Sequence, residues 1–231
     1  MLRPMLSEAE LTALWVSLRV AGWAVACSLP FAVAAAYALT RSFPGKSLVD
    51  ALVHLPLVLP PVLVGFVLLL GFGRRGPIGG WLDAAFHVHL AFTTAGAALA
   101  TAVMAFPLMV RAIRLSFEAT DRRLFEAAAV LRAGPWDRFA SVALPLAAPG
   151  VLAGAVTAFA AGLGEFGAVI TFAANIPGET QTLPLAIYAA LQTPGGEAQA
   201  LRLAAFSFAF AIAGLAAAEA LQRWSKQRLE A

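Results

Sequence analysis

The chain has 231 residues, of which 61% are hydrophobic and 13% are charged, and its net charge is only +3. Soluble domains contain about 45–50% apolar and about 25% charged residues, so a soluble fold of this chain would expose too little polar surface. The composition therefore excludes an ordinary soluble domain and indicates an integral membrane protein.

Long apolar runs predict about five membrane-spanning helices, since a helix needs about 20 apolar residues to cross about 30 Å of hydrocarbon. The predicted spans are residues 11–39, 48–72, 91–110, 144–174 and 203–221. A shorter apolar stretch, residues 183–191, is too brief to cross and is expected to lie at the interface or to re-enter. No segment alternates as the strands of a membrane barrel do. The prediction is an all-α integral membrane protein with a single transmembrane domain over residues 1–231 and a core at 11–222.

Prolines interrupt two of the predicted spans. Pro56, Pro60 and Pro61 each remove a helix hydrogen bond from the second span, so this helix should kink or break. Pro107 does the same more mildly in the third span. Broken helices are tolerated in membranes where they line a water-filled cavity or are covered by protein. The prolines of the second span therefore favour a pathway or hinge role.

A charged, helix-forming segment of about twenty residues, 126–145, separates the third and fourth spans. Thr120 or Asp121 can cap the start of a helix, because a side-chain oxygen there accepts hydrogen bonds from free backbone N–H groups. An apolar stripe follows at the helical spacing of i, i+3, i+4 and i+7, and its members are Leu124, Ala127, Ala128 and Leu131. The stripe fits a docking surface for a soluble partner and, equally, an amphipathic helix on the lipid surface.

The end of this helix is predicted at Gly134 and Pro135, a glycine stop followed by a helix-breaking proline. A second short helix, residues 136–142, is expected to lead to Pro145 and the fourth span. A polar helix in this place can neither form core nor cross a bilayer.

Glu165 is the only charge in a run of about thirty apolar residues within the fourth predicted span. Intramembrane carboxylates are costly and usually face a protein interior or a pathway. Glu165 is expected to act as a hydrogen-bonded brace or as a gate element near the outer mouth. The alternative is that it reaches interfacial water. In the same span, Gly150 and Gly154 form a small-xxx-small face, which most simply serves helix packing and otherwise a two-fold partner interface.

Lysine and arginine are concentrated on one side of the predicted spans. That side holds Arg41, Lys46, Arg111, Arg114, Arg122, Arg123, Arg132, Arg138, Arg223, Lys226 and Arg228. The other side holds only Arg3, Arg74, Arg75 and Arg202. The positive-inside rule places the N-terminus outside and the C-terminus in the cytoplasm. This bias explains the basic charge balance, so no nucleic-acid partner is predicted.

Catalytic constellations are missing from the sequence. Gly45 and Lys46 resemble the end of a phosphate-binding loop, but Thr40 stands where that motif needs a glycine. His87 and His89 have no third metal ligand nearby, and three histidines with one cysteine support no nucleophilic triad. We predict no catalytic residue, no metal site and no cofactor, and an intramembrane enzyme is disfavoured.

The motif Glu126-Ala127-Ala128, closed by Leu144-Pro145, resembles the EAA loop of binding-protein-dependent ABC importer permeases. In that family the loop forms coupling helices that sit in a cleft of the ATP-hydrolysing subunit. Within a cytoplasmic loop at residues 111–145, the resemblance assigns ATPase coupling to Glu126, Ala127, Ala128, Arg132, Gly134, Leu144 and Pro145. The family usually has a glycine where Arg132 stands, so the turn is expected to shift by two residues to Gly134.

Six further blocks are similar to those of molybdate permeases. They are residues 41–46 (RSFPGK), 54–61 (HLPLVLPP), 106–114 (FPLMVRAIR), 164–168 (GEFGA), 175–180 (NIPGET) and 192–197 (QTPGGE). The resemblance implies a type I ABC importer permease fold and a homodimer with a central path. The pathway or gate candidates are Pro56, Pro60, Pro61, Glu165, Phe166 and Gly167. Glu165 should not bind an oxyanion directly, because like charges repel.

The resemblance implies a permease subunit that imports molybdate across the inner membrane, surrounded by lipid. Its expected partners are a second copy of itself, two copies of a molybdate-transport ATP-binding subunit and an external molybdate-binding protein. Residues 73–90 and 175–201 would receive the binding protein. One alternative is a permease for sulfate, tungstate or another oxyanion. The alternative from a different class is a stand-alone channel or carrier.

Overall fold

The computed structural model describes residues 7–230, except for the side chains of residues 122, 215, 218 and 221–230. Regular structure in this range is entirely helical, which confirms the all-α prediction. The helices are α1 (Glu8–Leu39), α2 (Lys46–Val58), α3 (Pro61–Phe72), α4 (Pro77–Phe86), α5 (Thr94–Glu118), α6 (Arg122–Val130), α7 (Pro135–Arg138), α8 (Leu144–Leu163), α9 (Gly167–Phe172), α10 (Leu183–Leu191) and α11 (Glu197–Glu230). A π-helical turn, Phe139–Ala143, joins α7 to α8.

Three helical segments among the described residues are long and apolar enough to cross a membrane. They are Glu8–Leu39, Thr94–Glu118 and Pro135–Leu163. The pair α2 and α3 makes a fourth if the two bent helices count as one span. The fifth predicted span, residues 203–221, falls within α11, and part of it lies outside the described side chains.

The second predicted span breaks, as its prolines predict. Helix α2 ends at Val58, α3 begins at Pro61, and the two axes are bent by 115°. Leu59 is extended, the conformation favoured before a proline, and Pro61 occupies the first turn of α3, where its missing N–H costs no hydrogen bond. Pro56 lies inside α2 and does not break it. The break therefore belongs to Pro60 and Pro61.

Two predicted span boundaries are wrong. Helix α5 continues eight residues beyond the predicted end at 110, because arginine and glutamate are good helix formers and the hydrogen-bond ladder does not stop where apolarity does. The fourth span does not run unbroken from 144 to 174, since α8 ends at Leu163 and α9 starts at Gly167. Glycine is a poor helix former, and Gly164 sits at the C-cap of α8, where an apolar run gives no warning of a break.

The core of the described residues has a small cluster around Leu183 and two larger clusters stacked along α1 and α5. One of the two larger clusters joins the first half of α1 to α3, α5 and α9 through residues such as Val20, Val64 and Phe172. The other joins the ends of α1 and α5 to the start of α8, around Leu39 and Ile113. We call the end of the molecule with the second cluster the α6 end, and the opposite end, which carries the short helix Leu183–Leu191, the α10 end.

Close packing between α5 and α8 depends on the predicted glycine face. A Cβ placed on Gly150 would lie 2.3 Å from Ser116 Cβ, and one placed on Gly154 would lie 3.3 Å from Ala112 Cβ. Both glycines therefore pack against α5 of the same chain, which agrees with the simpler of the two expectations for this face.

Helix α10 is a separate short helix, as its length predicts. Its nine residues span about 14 Å, too little to cross a bilayer. Leu183 and Leu185 are fully buried, and the Leu183 N–H donates to the buried Ser17 Oγ of α1 at 2.6 Å. The helix is therefore held inside the protein at the α10 end.

Candidate functional site

The candidate coupling residues lie mainly on the α6–α7 segment, residues 121–138. Of the two predicted caps, Asp121 is the one used: its Oδ1 accepts a hydrogen bond from the Arg123 N–H at 2.9 Å. The Thr120 hydroxyl instead donates back to the Ser116 carbonyl at 3.2 Å. Only three residues separate the end of α5 at Glu118 from the start of α6 at Arg122.

The predicted apolar stripe of α6 points away from the core of this chain. Leu124 is 46% exposed and Leu131 is 83% exposed, while Ala127 is exposed and Ala128 half-buried. Helix α6 is attached to the body by Phe125, which packs against the second core cluster. The stripe is thus an uncovered apolar surface beside the Glu126 carboxylate, available to a partner outside the chain.

The helix end is not at Gly134, and the predicted two-residue shift of the turn is wrong. Helix α6 ends at Val130, and Arg132 itself takes a positive φ of 61°. The Ala133 N–H donates to the Ala128 carbonyl and the Arg132 N–H to the Ala129 carbonyl, both at 3.0 Å. This pair of bonds is the Schellman stop, whose left-handed residue is usually glycine. Closing it outweighs the cost of about 1–2 kcal/mol for a left-handed non-glycine residue.

Gly134 instead starts the next helix in an extended conformation, with φ −67° and ψ 168°. The predicted separate helix at 136–142 is also wrong, because helix is continuous from Pro135 to Leu163. Pro145 lacks an N–H and its ring would clash with a carbonyl four residues earlier in a regular α-helix. The wider π turn just before it, in which Leu144 N–H bonds to the Phe139 carbonyl, explains why the helix tolerates this proline.

Aromatic rings fix α7 and the π turn against the bundle. The Phe139 ring lies 4.7 Å from that of Tyr37 in α1 and 5.4 Å from that of Trp136, measured between centroids. Tyr37 also contacts Phe117 near the end of α5 at 5.3 Å. These contacts connect Trp136 of the α6–α7 segment to α1 and α5 through Phe139 and Tyr37.

The structure divides the seven coupling candidates into two groups. Glu126, Ala127 and Ala128 lie on α6, and Arg132 and Gly134 lie in the turn that follows it. Leu144 and Pro145 lie further on, within the continuous helix that leads into the bundle. The first group forms the exposed surface, whereas the second sits on the helix that connects this surface to the interior.

Four of the six pathway candidates, Pro61, Glu165, Phe166 and Gly167, lie where α3 touches α9. A Cβ on Gly167 would lie 2.7 Å from Pro61 Cβ, so the helix start at Pro61 rests on a glycine of α9. Glu165 Oε1 accepts a hydrogen bond from the Ala168 N–H at 2.8 Å and thereby satisfies a free donor at the start of α9. Phe166 contacts the Tyr188 ring at 5.3 Å. This geometry fits the hydrogen-bonded brace among the roles expected for Glu165.

A cavity of about 180 Å³ lies beside Glu165. It is lined by Leu57, Thr101, Met104, Ala105, Leu108, Ala161, Gly162 and Glu165. The Thr101 Oγ1 atom is buried and has no hydrogen-bond partner among the described residues. Sequence reasoning missed Thr101, because a single threonine in an apolar helix gives no signal of its own. Of the six pathway candidates, only Glu165 lines this cavity, so they do not form one site in the part of the chain that the structure describes.

Sequence reasoning also missed an ion cluster between α2 and α5. Arg114 contacts Asp50 across 64 residues of sequence. The available signal was Asp50 itself, an acidic residue inside the second apolar run.

Among the described residues, no group of three or more His, Cys, Asp and Glu side chains could hold a metal ion.

Comparison with known proteins gives one family. The family described as binding-protein-dependent transport system inner membrane component matches residues 28–230. The molybdenum transport system permease protein ModB of Escherichia coli K12 is 53% identical over 224 residues, which cover 96% of this chain and 98% of that protein. The protein of the same name from Haemophilus influenzae is 49% identical over 221 residues, covering 95% of this chain and 96% of that one.

A solved structure shares the fold. It is the bacterial alginate ABC transporter in complex with an alginate pentasaccharide-bound periplasmic protein. One chain of it matches with a TM-score of 0.71 at 17% identity, covering 96% of this chain and 80% of that chain. At this identity the likeness speaks for the fold alone.

Proposed function

The chain belongs to the family of binding-protein-dependent transport system inner membrane components, and on that premise we propose that it is the permease subunit of an ABC importer for molybdate. The observation that carries the substrate is 53% identity to a molybdenum permease over nearly the full length of both chains. We assign residues 1–231 to a single transmembrane permease domain with five spans, and its fold to the type I importers.

The α6–α7 segment would be the EAA loop that docks on the ATP-binding subunit. Its apolar stripe is exposed, and Glu126, Arg123 and Arg132 lie beside it with their charged groups in solvent. Such a combination suits a cleft that is apolar at its centre and charged at its rim. ATP hydrolysis would reside in two copies of that partner, and this chain would supply only the path.

A second copy of the chain would cover α2 and α3. These helices carry exposed apolar residues along their whole length, including Val58 at 81% exposure and Phe66. Helix α2 has no buried residue at all. Prolines Pro60 and Pro61 would then bend the two helices around a central path, as broken helices in membranes do when they line a cavity. Pro56, Glu165, Phe166 and Gly167 would complete that path from each copy.

The α6 end would face the cytoplasm, with the N-terminus outside and the C-terminus inside. The basic residues on that end support this orientation. The α10 end would then receive an external molybdate-binding protein, through residues 73–90 and 175–201. A periplasmic protein is bound to the alginate ABC transporter of similar fold, which supports a partner of that kind. Membrane lipid would surround the assembly.

The decisive experiment is uptake by reconstituted vesicles that contain this chain, its ATP-binding partner and the binding protein. We expect uptake of molybdate that requires ATP and all three components, and competition by tungstate or sulfate reports how selective the path and binding protein are. Uptake without ATP or without the ATP-binding partner would show a stand-alone channel or carrier. Transport of sulfate but not molybdate would reassign the substrate.

A further inference from the structure

Helix α2 is weakly held by apolar packing. None of its thirteen residues is buried, and its contacts with the described part of the chain are made chiefly to α5. Only Val53 packs against the second core cluster from within it. A helix of this kind can move as a unit unless something other than packing fixes its position.

An ion cluster fixes α2 to α5. Arg114 Nη1 lies 3.2 Å from Asp50 Oδ1 and 3.3 Å from Oδ2, while Arg114 Nε lies 2.8 Å from Glu118 Oε1. His54 joins on the α2 side, with Nδ1 3.2 Å from Asp50 Oδ1. The Arg114 side chain is 24% exposed, while those of Asp50 and Glu118 are 37% and 43% exposed, so the guanidinium is partly shielded from water and the carboxylates reach it.

The geometry requires an arginine. One guanidinium uses two different edges, Nε toward α5 and Nη1 toward α2, and so holds two carboxylates in fixed directions. A lysine ammonium is a point charge and lacks this rigid fork. The cluster therefore defines a distance between the two helices rather than only an attraction.

Both ends of this connection reach functional parts of the chain. Arg114 lies on the last turns of α5, which ends at Glu118, and Asp121 caps α6 three residues later. From Asp50, α2 rises about 10 Å to Leu57, which lines the cavity beside Glu165 and Thr101. Three residues further on, Pro60 separates α2 from α3, whose axes are bent by 115°.

We propose that Arg114 is the positioning residue that transmits movement of the α6–α7 segment to α2, the inner arm of the broken helix. When the segment moves, α5 carries Arg114 with it, and the ion cluster makes α2 follow. This inference rests on the proposed function, because it assumes that the segment is driven by an ATP-hydrolysing partner. Neither Arg114 nor Asp50 would touch the substrate.

The test compares Arg114→Gln and Asp50→Asn in the complete reconstituted transporter. Both variants remove the link between the helices with little change in side-chain size. We expect ATP hydrolysis to continue, while molybdate uptake per ATP falls on the order of tenfold, as for loss of a charge-assisted hydrogen bond. The double variant should lose no more uptake per ATP than the more impaired single variant. The effects of the two substitutions do not add, because both break the same contact. Arg111→Gln, which removes an exposed arginine about one turn earlier on α5, should keep the normal ratio.

The outcomes separate this inference from the proposed function. If the unaltered transporter imports no molybdate, the proposed function fails. If it does import molybdate and both single variants keep the normal ratio of uptake to ATP hydrolysis, Arg114 has no transmitting role. If the losses in uptake per ATP of the two single variants multiply in the double variant, Arg114 and Asp50 do not act as a pair and the inference is wrong. If Arg114→Gln does not assemble with the ATP-binding subunit, Asp50→Asn alone decides, since it leaves the Arg114–Glu118 pair in place.

Discussion

The two ends of the molecule differ in how their charged side chains are held. At the α10 end, Glu10 is only 2% exposed, and its carboxylate accepts from the Arg202 guanidinium and from the Ser7 N–H. At the α6 end, by contrast, an apolar stripe is uncovered and Arg132 holds a left-handed turn in the open.

The contrast concerns the buried charge, because exposed apolar side chains also occur at the α10 end, where Leu191 is 61% exposed. The α10 end satisfies the charge of Glu10 within the chain, as a buried carboxylate requires. The α6 end leaves the apolar stripe of α6 exposed. An exposed apolar surface of this kind marks a site where a partner binds. The difference predicts that substitutions at the α6–α7 segment change coupling, and those at the α10 end change stability.

The largest expected effect is that of Glu126→Lys. Reversing this charge on the proposed docking surface should lower ATP-driven molybdate uptake on the order of 100-fold, because like charges opposed across an interface cost several kcal/mol. Insertion into the membrane should be unchanged, since Glu126 is exposed. Uptake and co-purification of the ATP-binding subunit measure the effect. Glu8→Lys at the other end is the control, and normal uptake by Glu126→Lys would contradict the docking role.

Gly150→Ala should destabilise the body on which the segment rests. Its Cβ would approach Ser116 Cβ to 2.3 Å between α5 and α8, an overpacking that costs about 1–3 kcal/mol. Thermal unfolding in detergent would show a lower Tm. Gly71→Ala is the matched control, because a Cβ there meets no atom within 4 Å. Equal Tm values for the two variants would mean that α5 and α8 are not in close contact.

Glu10→Gln should loosen the α10 end by about 1–2 kcal/mol, because it leaves the Arg202 guanidinium without a charged partner. This loss of free energy is small for a broken ion pair, because Arg202 is half exposed and water solvates its charge. Coupling should be unaffected. The folded transporter should therefore take up the normal amount of molybdate for each ATP that is hydrolysed. A changed ratio with an unchanged Tm would reverse the contrast between the two ends.

The smallest effect is expected from Arg132→Gly. Glycine adopts a φ of 61° without a Cβ clash, so the turn after α6 should gain about 1 kcal/mol. Hydrogen exchange of the amides at residues 132 and 133 would slow. Gly134→Ala is the comparison, because its extended backbone accepts any residue. Faster exchange in Arg132→Gly would show that the turn is not the Schellman stop described above.

Sequence reasoning succeeded wherever one local property was sufficient. Apolar runs predicted a helical membrane protein, two adjacent prolines predicted a broken second span, and Asp121 was among the predicted caps. It failed where two residues could each end a helix by local criteria. Gly134 looked like the stop after α6, yet backbone hydrogen bonds placed the stop at Arg132.

Composition and spacing alone determined the class of the protein and the place of the exposed segment between two of its apolar helices. These follow from the cost of putting backbone and charge into hydrocarbon, which each segment bears by itself. Only the tertiary structure decided that α8 stops at Leu163, that Gly150 packs on Ser116 and that Arg114 reaches Asp50. Such contacts depend on which distant segments meet, and no local pattern in one segment contains that information.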